Sequence, residues 1–263
     1  MSDPNFPTNL DIKPLSLDPS QQGDSWQQHE AIKQYGIAGR IWHATQLLIQ
    51  YFTPGIKFDP PCSIFNGIGP KNIIELGSGQ SAASLHLAAS LNRNDTLTLT
   101  DLPEVIPLCR QSLATQQHLA PHVEAHPLSW GSSCDLPRPF THIIMCDLIY
   151  FPHLYPFLLW TLLDLTRPDI LPDTATFGPE IILAYKPRTL ALEHSFFESF
   201  GHYFSMSPIV GPESEVRLYS CHRWRINEEW SMPDVDRVMN GAPGVVRGRD
   251  FGYIEQLFAS MEW

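Results

Sequence analysis

The feature that most restricts this chain is an alternation of short apolar runs with stretches of helical spacing. The runs NIIEL (72–76), TLTLTD (96–101), VEAHPL (123–128), THIIMCD (141–147) and EIILAY (180–185) read as strands. The helix SAASLHLAASL and a second one from Pro103 to His118 lie between the first three. Strands buried on both faces and joined through helices form a parallel, doubly wound α/β sheet. After a helix around LEHSFFESFGHYF, the runs SMSPIV and EVRLYSCHRW are separated by only a turn at Gly211 and Pro212. That spacing predicts an antiparallel hairpin at the sheet edge, making seven strands, mostly parallel. A dinucleotide-binding sheet more often closes with a sixth parallel strand, so the hairpin tilts away from a nicotinamide enzyme.

The flanks divide the chain into an N-terminal arm over 1–25, a central domain over 26–225 and an extension over 226–263. Ahead of the first strand, Ile41, Ala44, Leu47, Leu48 and Tyr51 fall at helical spacing, with Pro54 as the stop. The tail DFGYIEQLFASMEW reads as one more helix. With Lys+Arg 17 against Asp+Glu 28, the net charge of -11 argues against nucleic acid as a partner. The apolar stretch FPHLYPFLLWTLLDL is too short and too interrupted by proline to span a membrane. Five cysteines without a CxxC pair and no charged-then-apolar leader predict reduced thiols in a cytoplasmic or nuclear protein.

Four constellations carry chemistry. Gly77 and Gly79 follow the first strand, where a glycine turn and a helix start let a ligand approach the backbone. With Ala82 they satisfy a dinucleotide pattern. With Glu75 they match most of the acidic glycine motif of S-adenosylmethionine enzymes, and a tight packing turn explains them as well. Asp101 closes the second strand, where a carboxylate can accept both ribose hydroxyls or cap the next helix. Trp130 follows the third strand and suits either a base or the core. Asp147 and Tyr150 lie past the fourth strand on the rim where an acceptor would meet a cofactor, although a cap and a packed ring account for them equally.

Taken in order, Glu75-Leu-Gly-Ser-Gly, TDLPEVIPL, LSWG and Asp147-Leu-Ile-Tyr150 resemble the seven-β-strand protein-lysine methyltransferases that modify non-histone targets such as elongation factor 1-alpha and chaperones. The likeness runs from about Gly36 to Trp224 and implies a Rossmann-like fold with S-adenosylmethionine as cofactor. It implies that Trp42, Gly77, Ser78 and Gly79 cradle the methionine end, with Glu75 and Leu102 beside the cofactor. Asp101 would hold the ribose, Trp130 would contact the adenine and Cys146 would line the pocket. Asp147 and Tyr150 would face the incoming lysine, the carboxylate recruiting its ammonium. Ser81 stands where the family has a glycine, and Ser112 where it often has Asn. The expected partner is a protein with an accessible lysine, elongation factor 1-alpha first. A small-amine methyltransferase and a non-catalytic cofactor-binding adaptor are the rivals. His118, His122 and His126 are not read as metal ligands, because Pro121 breaks their helix, and Lys186 and Arg188 read as a solvated rim.

Overall fold

The computed structural model describes residues 12–15, 22–116, 118–169, 171, 173–188 and 190–248. Most of the arm expected over 1–25 and the whole of the expected C-terminal helix lie outside those residues. The strands are β1 (Asn72–Leu76), β2 (Thr96–Asp101), β3 (His122–Pro127), β4 (His142–Cys146), β5 (Thr176–Tyr185), β6 (Phe204–Pro208), β7 (Arg217–Ile226) and β8 (Val245–Val246). They form one sheet in the order β3-β2-β1-β4-β5-β7-β6, with β8 added alongside β7. The first five strands pair in parallel, and β7 runs antiparallel to both β5 and β6. The expected hairpin is therefore present, and a two-residue eighth strand extends the expected seven.

Period-two alternation divides the core between the two faces. Ile74 and Leu76 of β1, Ile143 and Met145 of β4, and Ile181, Leu183 and Tyr185 of β5 face one apolar layer. Helices α6 (Tyr155–Leu165) and α7 (Leu190–Gly201) cover that layer. Ile73, Ile144 and Ile182 turn to the other side, in one layer with α2 (His43–Tyr51), the short α3 (Ser63–Asn66), α4 (Ala82–Ala88) and α5 (Ile106–Ala114). Such alternation follows from strand geometry and buries apolar surface worth roughly 25 cal/mol per Å² on both sides.

Several boundaries differ from expectation for physical reasons. Helix α1 (Gln22–Tyr35) precedes the helix expected ahead of the first strand and straddles the expected boundary between arm and domain. It has no apolar stripe to reveal it, and its place is set by packing and by a buried amide. Gln28 accepts the Leu15 and Ile41 backbone N–H groups and donates to the Leu15 carbonyl. Strand β5 begins at Thr176, four residues before the expected start, because a shift of register between Phe177 and Ile181 absorbs Gly178 and Pro179. Helix α5 is shorter than the span from Pro103 to His118. Residues after Asn227 fold back onto the core: Tyr203 donates to the Val238 carbonyl, Ser199 to that of Met239 and Trp160 to that of Pro233. Among the described residues, no helix is long and apolar enough to cross a membrane.

Two buried charges anchor α6, which lies beneath the loops at the carboxyl ends of β3 and β4. Arg223 sits at its C-terminus and donates to the carbonyls of Leu163 and Thr166, the free acceptors at a helix end, while Trp230 and Phe177 flank its guanidinium. Asp164 accepts from Arg138, Arg167 and the Cys134 N–H, which pins the loop that follows Trp130. Replacing Asp164 with Ala should leave the buried Cys134 N–H without its acceptor and take a charged partner from Arg138, and cost about 1–3 kcal/mol. Urea unfolding would measure this, and an unchanged midpoint would show that the loop is held by other contacts.

Candidate functional site

The strand order reverses at β1, whose neighbours β2 and β4 lead their chains away to opposite sides. The crevice this leaves at the carboxyl ends of the strands is where doubly wound sheets bind ligands. Here it holds a cavity of about 360 Å³, lined from every element the motifs predicted.

The turn after β1 forms its floor. Gly77 and Gly79 have φ of 56° and 47°, the left-handed region in which a side chain is costly. A Cβ on Gly77 would stand 2.7 Å from Leu148 and 3.3 Å from Trp130, and one on Gly79 would stand 2.7 Å from the Ala38 carbonyl oxygen. Gly79 is thus required by space as well as by conformation, because its neighbour is backbone, whereas Gly77 is required by conformation, since the Leu148 methyl could give way. Ser81 adopts the same left-handed backbone, with φ of 57°. A left-handed backbone is one that glycine adopts without strain, so Ser81 holds a conformation a glycine there would take readily. The turn is tied to β2 by Ser78 N–H to the Thr100 carbonyl (2.9 Å) and by Thr100 N–H to Ser78 Oγ (3.0 Å).

Asp101 completes this tie. Its Oδ2 accepts the Gly79 N–H and its Oδ1 accepts the Leu102 N–H, each at 2.8 Å. It does not cap the following helix, whose N-cap is Val105. Each oxygen retains acceptor capacity toward the cavity, and Leu102 lines the wall beside it. Burial pushes the Asp101 carboxyl up to about 6, against the pull of the two N–H groups. Glu75 is almost wholly buried, and desolvation pushes its carboxyl up to about 8 although the nearby Ser78 and Ser84 hydroxyls favour the ionised form. Its Oε2 is buried without a hydrogen-bond partner among the described residues, and Glu75 lines the cavity. A glycine cradle, a ribose-type acceptor and an orphaned carboxyl oxygen together fit the cofactor that the motifs imply.

Trp130 and Cys146 enter the wall as expected, the latter with its Sγ 3.5 Å from Thr45 Oγ1. Trp42 lines the same cavity and donates its indole N–H to the Ile37 carbonyl (3.1 Å). Tyr150 packs edge-on against Phe151, centroids 4.6 Å apart, and burial raises its hydroxyl above the usual tyrosine range. All eleven residues singled out in the sequence meet in this one cavity.

Asp147 requires a correction. Its backbone takes a left-handed φ of 61°, and its side chain is fully shielded from solvent. The carboxylate is not free to recruit an ammonium ion alone: Arg188 grips both oxygens, Nη1 on Oδ1 at 2.9 Å and Nη2 on Oδ2. Arg188 is therefore no solvated rim residue. Its guanidinium also lies 5.6 Å from the Trp42 ring, which Arg40 approaches at 4.4 Å. Lys186 pairs with Glu215 instead. The sequence carried one signal for the Arg188 contact, its place just past β5, the strand next to β4. His122 and His126 sit on β3, both beside Glu124. The sequence reading also missed Ala38 and Phe157 in the wall.

The profile of the lysine methyltransferase family matches residues 20–202. EEF1A lysine methyltransferase 3 of Xenopus tropicalis is 26% identical over 193 residues, covering 72% of this chain and 77% of that protein. Protein-lysine N-methyltransferase EFM6 of Saccharomyces cerevisiae is 28% identical over 176 residues, covering 61% of this chain and 68% of that one. Among solved structures, the mitomycin 7-O-methyltransferase MmcR superposes with a TM-score of 0.52 at 13% identity, over 75% of this chain and 60% of that one, a likeness of fold alone.

Two measurements probe the floor. The raised Glu75 carboxyl makes the folded state hold a proton that the unfolded chain releases, so stability is full below about pH 4.5 and is lost as pH rises through about 8. Glu75→Gln should remove that loss, with a few kcal/mol separating the two proteins between pH 5 and pH 8. Parallel urea curves at those pH values would refute it. Separately, Ser81→Gly should be tolerated within about 1 kcal/mol, whereas Ser81→Val, branched at a left-handed position, should cost about 2 kcal/mol or more in the same assay.

Proposed function

Because the chain belongs to the lysine methyltransferase family and is an S-adenosylmethionine-dependent protein-lysine N-methyltransferase, we propose that its acceptor is a lysine of elongation factor 1-alpha, reached through the cavity at β1, β2 and β4. The observation that carries the site assignment is that the glycine turn anchored on Asp101 and the Asp147–Tyr150 segment open into one cavity. The substrate follows from the name of the Xenopus relative.

In this reading the backbone of Gly77, Ser78 and Gly79, with Trp42, would hold the methionine end. Asp101 would accept the ribose hydroxyls, Leu102 and Trp130 would flank the adenine, and Glu75 and Cys146 would border the centre. When bound, S-adenosylmethionine would supply an electrophilic methyl group on a sulfonium sulfur, for transfer to a neutral lysine nitrogen with the carbon–sulfur electron pair left on sulfur and the nitrogen's surplus proton lost to solvent. Lysine has an ordinary pKa of about 10.4 and must arrive without its proton. The chain contributes alignment and exclusion of water. Tyr150 and Phe151 would form the aromatic wall against the acceptor, and Asp147, held by Arg188, its polar side. We place the activity in the cytoplasm, where a translation factor works and where five unpaired cysteines would stay reduced.

The test is transfer of labelled methyl from S-adenosylmethionine to purified elongation factor 1-alpha and, in parallel, to cytosolic extract. A labelled band that disappears with Asp147→Ala and maps to a lysine supports the reading. Label in a different protein would replace the substrate while keeping the site. Asp101→Ala should weaken S-adenosylmethionine binding by at least about tenfold, the loss of hydrogen bonds to a charged acceptor. Calorimetry would measure this, and unchanged affinity would remove Asp101 from the cofactor site.

A further inference from the structure

The bond between Arg188 and Asp147 bears on a chemical requirement of the acceptor. An amine attacks carbon only when neutral, yet a bare carboxylate beside it would favour the ammonium form. Asp147, its side chain fully shielded from solvent, would be such a carboxylate were it unpaired. Instead both its oxygens are taken by the Arg188 fork, and Oδ1 also faces the Lys186 N–H at 3.2 Å. Arg188 is itself fixed: its backbone N–H donates to Glu193 at 3.1 Å, and its guanidinium lies over Trp42. Glu193 is buried and accepts from Tyr185, so the loop after β5 is braced against α7. The remaining charges around this end are Arg40 on the Trp42 ring, the Lys186–Glu215 pair, and His43, which burial, Lys186 and Arg40 all push toward its neutral form. Across the same cavity stand Glu75, Asp101 and Glu104, so the Arg188 fork removes the negative charge nearest the acceptor end and not every one.

We infer that Arg188 is a positioning residue for methyl transfer: its guanidinium cancels the Asp147 charge in the wall of the acceptor channel, so that the channel receives lysine as a neutral amine and not as an ammonium ion. This rests on the proposed assignment of Asp147 and Tyr150 to the acceptor end of the cavity. It also changes what Asp147 does there. A shielded carboxylate paired to a guanidinium leaves the wall without the negative field that would trap the proton that has to leave.

The charge at this end can be read without turnover. S-adenosylmethionine carries a positive sulfonium, and S-adenosylhomocysteine is neutral at the same atom, so the ratio of their dissociation constants reports the local field. Calorimetry with both compounds would compare the wild type with Arg188→Gln, which keeps a hydrogen-bond donor while removing the charge, and with Arg188→Lys. Charge cancellation predicts that Arg188→Gln shifts the preference toward S-adenosylmethionine by about tenfold, that Arg188→Lys stays within about twofold of the wild type, and that adding Asp147→Asn to Arg188→Gln restores the original ratio. Asp147→Asn alone, leaving the guanidinium unbalanced, should shift the ratio toward S-adenosylhomocysteine. Equal changes in both affinities, or a shift that survives removal of the Asp147 charge, would overturn the inference in favour of a purely structural bond. Failure of the folded wild type to bind either compound would instead remove the cofactor site, and this inference with it.

Discussion

Everything at the site depends on the reversal of strand order at β1. A parallel sheet winding outward from one strand in both directions cannot cover the carboxyl ends of β1 and β4 with a single connection, because the chain leaves them toward opposite faces. The turn after β1 and the segment after β4 therefore part, and the space between them is the cavity. The residues that border it are held from outside it. Asp101 at the end of β2 ties the turn, Asp164 of α6 pins the loop after Trp130, and the Gly36–Gly39 turn rests its Ala38 carbonyl against Gly79.

Four carboxyl residues line this small volume; Glu104 is exposed, and the structure accommodates each of the other three differently. Glu75, buried without a counter-charge, favours its protonated form near neutral pH. Asp101 meets two backbone N–H groups, which offset part of the cost of burial. Asp147 is neutralised by a guanidinium fork. Leaving any one as a bare ion in an apolar pocket would cost several kcal/mol. Proton, dipole and ion pair in this way offset the burial of three carboxyls in a chain whose overall balance is -11. Net charge thus says little about the field inside a cavity.

Backbone strain gathers at the same place. Of the three described residues other than glycine with positive φ, Ser81 ends the first turn and Asp147 begins the segment after β4. Each conformation is unfavourable alone and persists because its surroundings over-determine it. Ser81 N–H is bonded to the Ser78 carbonyl, and Asp147 N–H to the Ala184 carbonyl. Ser81 thus holds, by its surroundings, a left-handed backbone that glycine adopts without strain.

What the sequence by itself determined is local. Period-two apolar runs announce strands and their faces, and short motifs at strand ends announce the glycine cradle, Asp101, Trp130 and the Asp147–Tyr150 pair, because each depends only on residues a few positions apart. Tertiary structure alone decided which strands became neighbours, and with that the contacts that set the chemistry. Arg188 reaches Asp147 across 41 positions because β5 lies beside β4. Helix α1 lacks a stripe to announce it, and a bulge hides the start of β5 behind Gly178 and Pro179. Charge pairing and desolvation act through space, so whether Asp147 stands free or neutralised was settled only when the chain folded.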